Sequence, residues 1–358
     1  MLIEVDYLFP PDVDAEKQAT IIAVGQTAGT WSQRYADRAD SLRSHLATVV
    51  DVKERSLGKV ATIRFPLSNV ENDIPSLLVM IFGKYSMAGV AKVIDIRLPS
   101  DYGQRPKFGI TGIRQHLKVF DRPLVMAIFK PALGLSASDH ATILQEVAGA
   151  GLDLIKDDEI MGNLNSAPTL ERLKACRVVI NDLKQQTGKE LLYAVNVTGR
   201  ADRLLANARE LVRAGANALL LNVLAYGYSV LEALAADPEI NVPIFAHPAL
   251  AGAMCGSPHY GLAYSVVLGT LMAHAGADAV LYPAHYGSLP FAATEEARIR
   301  DLLRSRNCFP VPSAGIKPEI VPQVLADYGQ DVILNAGTGI MDHPQGSAAG
   351  VQAFRQQL

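Results

Sequence analysis

Cysteine is scarce in this chain of 358 residues, and the three present, Cys176, Cys255 and Cys308, stand far apart. An odd count with no C-x-x-C spacing argues against a disulfide framework and against a thiolate zinc site. Long apolar runs are also missing. The most membrane-like stretch, 262–282, is broken by His274, Gly276 and Asp278, so it reads as a buried helix followed by a strand. Charge of one sign is lacking too: the net charge is −3 with no long basic run, which favours neither nucleic acid nor an anionic membrane as partner. The opening residues, Met1-Leu2-Ile3-Glu4-Val5-Asp6, have neither the basic region nor the apolar core of a secretory signal. The expectation is a cytoplasmic protein.

What is present is a well-mixed globular composition, 49% hydrophobic and 19% charged, which suits a packed core rather than a disordered chain. From about Asp121 one unit repeats: a short apolar run, then polar or glycine-rich residues, then an Ala/Leu-rich helical stretch. Strands are expected at 123–130, 152–156, 192–197, 218–223, 243–247, 279–282, 309–312 and 331–335. Continuous apolar runs of this length mark strands buried on both faces, as in a parallel sheet. Eight such units can close into a (β/α)8 TIM barrel, although an open doubly wound sheet has the same alternation. Between them, 169–186 and 201–214 are helix-forming and end just before Gly188 and Gly215. The front of the chain has another texture, with strands expected at 2–8 and 61–66 and helices at 14–24 and 74–80. The turn-rich linker 101–107 places a boundary near Pro106. The fold class is therefore α/β, with a small α+β N-terminal domain at 1–106 and a barrel at 107–358.

The chemistry of such a barrel sits at the C-terminal ends of its strands. Those ends carry Lys130, Lys156-Asp157-Asp158-Glu159, Asn196, Asn222, His247, His285, Ser313 and Asn335. Alternation along a strand puts Lys156 and Asp158 on one face, and a turn just after could bring Glu159 inward. Clustered carboxylates repel unless a cation compensates, and two such oxygens suit a hard ion such as Mg2+. A solvated surface cluster would carry the same residues. Glycine-rich turns close the seventh and eighth strands, at Ser313-Ala314-Gly315 and Gly337-Thr338-Gly339. Barrels often bind phosphate there through backbone N–H groups, although ordinary tight turns look alike. Lys84, read alone, is a solvated surface lysine, and Trp31 beside Thr30 is a packing residue.

Two segments carry a family resemblance. Lys130-Pro131-Ala132-Leu133-Gly134-Leu135-Ser136 and Gly151-Leu152-Asp153-Leu154-Ile155-Lys156-Asp157-Asp158-Glu159 resemble the K-P-x-L-G-L-S and G-x-D-x-x-K-x-D-E motifs of the RuBisCO superfamily. Ser313-Ala314-Gly315 and Gly337-Thr338-Gly339 with His343-Pro344 fit as well, and the resemblance spans the chain. Within the superfamily the chain is most similar to the RuBisCO-like enolases of methionine salvage. Segments such as Phe82-Gly83-Lys84-x-Ser86, residues 192–200 and Ala246-His247-Pro248-Ala249 carry that closer match. One departure is the first-strand loop, which keeps the Pro131 and Gly134-Leu135-Ser136 of carboxylases. Carboxylation itself is disfavoured. Ala132 replaces a lysine, the loop 286–290 lacks the lysine that holds CO2, and Lys84 stands where carboxylases have asparagine.

The resemblance implies an Mg2+-dependent isomerase, a keto-enol tautomerase acting on a phosphorylated diketone. It implies one Mg2+ per subunit held by Asp158, Glu159 and a carbamate formed from CO2 on Lys156. Lys84 would be the general base, and Lys130 would polarise a carbonyl or deliver a proton. His247, Ser313, Gly315, Gly337, Thr338 and Gly339 would bind substrate and its phosphate, with Thr30 and Trp31 closing over it. A homodimer with shared active sites is implied, with no nucleic acid or membrane partner. Two alternatives stay open: an isomerase or decarboxylase of another phosphorylated sugar or sugar acid, and a non-catalytic interaction protein.

Overall fold

The computed structural model describes residues 1–29 and 33–358. Its N-terminal sheet contains β1 (Leu2–Phe9), β2 (Thr48–Arg55), β3 (Gly58–Pro66) and β4 (Lys92–Arg97), with β1 central and antiparallel to both β3 and β4. Alternation along β1 buries Ile3, Val5, Tyr7 and Phe9 on one face. That face shares its core with Ala19, Ile22 and Ala23 of the helix Ala15–Gly25. Asp14 caps this helix by accepting from the Lys17 N–H at 3.1 Å.

The second sheet has eight parallel strands: β5 (Leu124–Ile128), β6 (Leu154–Lys156), β7 (Leu192–Asn196), β8 (Ala218–Asn222), β9 (Ile244–His247), β11 (Ala279–Pro283), β12 (Phe309–Ser313) and β13 (Ile333–Ala336). Pairing of β13 with β5 joins the last strand to the first and excludes the open doubly wound sheet. The barrel is nearly closed. At the seam between β12 and β13, Asn335 Nδ2 donates to Ser313 Oγ at 2.8 Å. Between β9 and β11 in the chain, the short strand β10 (Gly261–Leu262) leaves the barrel. It pairs in parallel with β4, at the edge of the N-terminal sheet.

The barrel interior is filled by Met126, Leu154, Ala194, Leu220, Phe245, Leu281, Val311 and Ile333, one from each strand. Two residues further along, the same inward face carries Ile128, Lys156, Asn196, Asn222, His247, Pro283, Ser313 and Asn335. Strand periodicity alone therefore delivers a polar ring to the C-terminal mouth. At the opposite end the helix Gly109–Leu117 adds Ile113 and Leu117 to the interior. The Asp278 carboxylate pins that end by accepting from the N–H groups of Phe108 (2.6 Å), Gly109 (2.9 Å) and Ile244 (2.8 Å). The stretch 262–282 is, as expected, a buried helical segment (π-helical over Ser265–Leu271) leading into β11. Among the described residues no helix is long and apolar enough to cross a membrane.

Candidate active site at the barrel mouth

β6 ends on the quartet from Lys156 to Glu159, and the structure assigns each member a different duty. Lys156 points inward and is almost completely buried. Its Nζ donates to the main-chain oxygen of Asp157 at 3.1 Å. Burial pulls its amine down to about 8, against the opposing pull of Glu159, Asp158 and Asp157. Asp157 turns outward and is fully buried. Its carboxylate accepts from Arg172 Nε (3.1 Å) and Nη2 (2.7 Å), the Tyr193 hydroxyl (2.6 Å) and the Asn196 N–H (2.9 Å).

Asp158 faces inward and pairs with Lys130 Nζ at 2.5 Å. Burial pushes its pKa up, but the hydrogen bonds from Lys130, the adjacent Glu159 carboxyl and the Ile160 N–H outweigh that, and the group lies below the usual carboxylate range. Glu159 reaches towards His247, with 3.6 Å between Oε2 and Nε2. His247 Nδ1 accepts from the Ala249 N–H at 3.2 Å, so the neutral ring carries its hydrogen on Nε2. Burial, reinforced by Lys156, pushes this histidine down to about 3 and keeps it uncharged. Lys156, Asp158, Glu159, Lys130 and His247 are thus brought together.

Two amides brace the acidic loop. Asn196 Nδ2 donates to the main-chain oxygens of Asp158 (3.2 Å) and Glu159 (3.0 Å), and Asn222 Nδ2 donates to that of Glu159 (2.8 Å). The sequence marks both as polar strand ends but assigns them no task. The available signal is their spacing, two residues beyond the inward Ala194 and Leu220.

Across the mouth, Ser313 Oγ donates to Val311 O at 3.0 Å and accepts from Asn335, so its hydroxyl must turn to reach a ligand. Gly315 has φ +114°, and a Cβ there would lie 2.7 Å from Ser288 N. That position needs glycine for loop packing whatever it binds. Gly337, Thr338 and Gly339 open the short helix Thr338–Met341, in which the N–H groups of Ile340 and Met341 donate to Gly337 O at 3.1 and 3.0 Å. Lys84 begins a 3₁₀ turn in the N-terminal region and is exposed. Among the described residues it has no hydrogen-bond or ion-pair partner, so the single chain does not join it to Lys156. Thr30 and Trp31 lie outside the described residues.

Comparison with known proteins decides the family. The profile of the ribulose bisphosphate carboxylase large chain, catalytic domain, matches residues 109–299 and 294–358. This chain is a RuBisCO-like protein of that family. A Microcystis aeruginosa protein named 2,3-diketo-5-methylthiopentyl-1-phosphate enolase is 69% identical over 359 residues, covering 100% of this chain and 93% of its own length. A Bacillus licheniformis protein of the same name is 43% identical, covering 97% and 89%. Among solved structures, a RuBisCO-like protein (MtnW) from Alicyclobacillus acidocaldarius superposes with a TM-score of 0.92 at 40% identity, covering 99% of this chain and 92% of its own. The octameric RuBisCO of Pyrococcus horikoshii superposes with a TM-score of 0.91 at 27% identity, covering 99% and 87%. The RuBisCO-like frame is thus shared with carboxylases, while the more similar relatives are named as enolases, an isomerase-type activity.

Proposed function

We propose that this chain is an Mg2+-dependent enolase of methionine salvage, converting 2,3-diketo-5-methylthiopentyl 1-phosphate into its 2-hydroxy-3-keto enol phosphate. The observation that carries this reading is the convergence of Lys156, Asp158 and Glu159 on the inward side of one strand end. Their chemistry fits a hard divalent cation. The carboxyls of Asp158 and Glu159 lie within hydrogen-bonding reach, and Asn196 and Asn222 hold the backbone that carries them. Among the described residues no three His, Cys, Asp or Glu side chains gather as a metal site. By the family resemblance, a third oxygen donor would come from Lys156 as its CO2 carbamate. Carbamate formation requires a neutral amine, and a buried amine lowered to about 8 supplies one far more readily than an ordinary lysine. When bound, Mg2+ would stabilise negative charge developing on the diketone oxygens.

The remaining steps belong to the side chains. The proton leaves the phosphate-bearing carbon for a base, assigned to Lys84 contributed by a second copy in a homodimer. Lys130, released from Asp158, stands at the mouth to polarise a carbonyl or return a proton to an oxygen. His247 offers a neutral Nε2–H that orients the substrate without adding charge. Ser313, Gly315, Gly337, Thr338 and Gly339 would take the phosphate, with Thr30 and Trp31 covering it.

The test is turnover of the diketone phosphate in D2O with Mg2+ and bicarbonate, followed by proton NMR. Formation of the enol phosphate with exchange at the phosphate-bearing carbon is expected; no exchange and no product would refute the reading. Lys84→Ala and Lys156→Ala should each be inactive alone, and mixing them should restore part of the activity if sites are shared.

A further inference from the structure

Asn222 ends β8 on the inward face, in direct register with His247 on the neighbouring strand β9. Both hydrogens of its amide nitrogen are engaged, one by the Glu159 main-chain oxygen at 2.8 Å and one by Thr198 Oγ1 at 3.0 Å. A main-chain carbonyl can only accept, so the nitrogen must be the arm that faces it, and the orientation of the amide follows. Among the described residues the other arm, Oδ1, has no hydrogen-bond donor, although Asn222 is only 6% exposed. Native folds rarely bury a strong acceptor in this state without a use for it. The donors around the mouth are directed elsewhere: Asn196 Nδ2 to the Asp158 and Glu159 carbonyls, Lys130 to Asp158, Lys156 to the Asp157 carbonyl, and His247 Nε2 towards Glu159.

We infer that Asn222 Oδ1 is the acceptor for a hydroxyl group that the reaction creates on its ligand. The inference rests on the enolase reading above. The diketone presents carbonyl oxygens at its reacting centre, which bring lone pairs but no hydrogen. In enolisation the C1–H bond breaks and its proton goes to the base. The C–H electron pair becomes the C1=C2 bond, and the former C2=O π pair ends on the C2 oxygen. That oxygen takes a proton and becomes an O–H, so the net change is a tautomerisation with no other reactant. A fixed acceptor gains nothing from the keto form and one hydrogen bond from the enol. It therefore favours the bound enol over the bound keto form, shifting the equilibrium on the protein towards the hydroxyl-bearing tautomer. Because Glu159 and Thr198 already hold the amide, no reorganisation is needed when the hydroxyl appears.

The experiment compares two stable ligands on the Mg2+-loaded protein by calorimetry: 2-hydroxy-3-ketopentyl 1-phosphate and its analogue without the hydroxyl. Wild type, Asn222→Leu and Thr198→Val are measured with both; Asn222→Ala replaces the leucine variant if that fails to fold. The hydroxyl should add about tenfold more affinity in wild type than in the Asn222 variant, the size of one ordinary hydrogen bond. Thr198→Val, which loosens the brace but keeps Oδ1, should retain the preference. Equal ratios in wild type and the Asn222 variant would mean that the oxygen serves only a solvent molecule, and would overturn the inference. Equal loss in Thr198→Val would overturn it in favour of an indirect effect through Glu159. Failure of wild type to turn over the diketone removes the enolase reading and this inference together, and is seen separately from the ratio.

Discussion

Asp157 stands between two inward-facing residues and so turns outward, into the layer between barrel and helices. There Arg172, itself fully buried, forks onto its two oxygens, and Tyr193 adds a third donor. An ion pair this deep contributes modestly as a whole but is costly to halve, because the surviving charge has no water. Arg172→Met should destabilise the fold by about 3–5 kcal/mol, read as a lowered urea midpoint, whereas a loss within about 0.5 kcal/mol would place the pair among interactions of no consequence. The pairing also explains what the quartet's sequence discloses and what it withholds. Period-2 alternation correctly separates Lys156 and Asp158 from Asp157. The partners of Asp157 lie on a following helix and the next strand, at 15 and 36 residues' separation, and no local pattern announces them.

Elements that are buried on both faces were legible, because eight continuous apolar runs have few other uses in a chain of this length. β2 was not, since Thr48–Arg55 is a largely exposed strand without a buried row and so shows no alternation. β10, with two residues, lies below the length at which any periodicity exists. The loop that follows β12 illustrates how one element constrains another. Ser288, in the loop after β11, donates both its N–H and its hydroxyl to Ala314 O. Gly315 admits that approach through a backbone conformation that side chains rarely adopt. Gly315→Ala should therefore cost about 1–3 kcal/mol through strain, visible as a lowered thermal midpoint. If instead the variant kept wild-type stability and lost only phosphate affinity, the glycine would belong to the ligand rather than to the loop.

At the scale of the molecule, a helix of the front domain and a helix of the barrel are tied by a group that titrates near neutrality. Glu232, on the barrel helix Tyr228–Ala236, accepts from the N–H of Ile74 at 2.9 Å, where the N-terminal helix Ile74–Phe82 begins. Burial raises this carboxyl to about 7; the Ile74 bond opposes the shift and the charge of Asp73 adds to it. The folded state thus holds the proton more tightly than the unfolded chain. Its stabilising contribution is complete below the ordinary value of 4.5 and is lost as the pH rises through about 7. Glu232→Gln keeps an acceptor without the charge, so its thermal midpoint should fall less than that of wild type between pH 5 and pH 8. Parallel midpoint curves for the two proteins would remove Glu232 from the account.

The two residues of β10 have a mechanical consequence. They lie at the far end of the segment that starts at His247, and they are fastened to β4 rather than to any barrel strand. His247 is consequently tethered at one end to a barrel stave and at the other to the front sheet's outermost ribbon. Any hinge-like swing of the front half would tug directly on the imidazole's own chain segment, so cutting the two halves into separate polypeptides would slacken the barrel mouth even if each piece kept its shape.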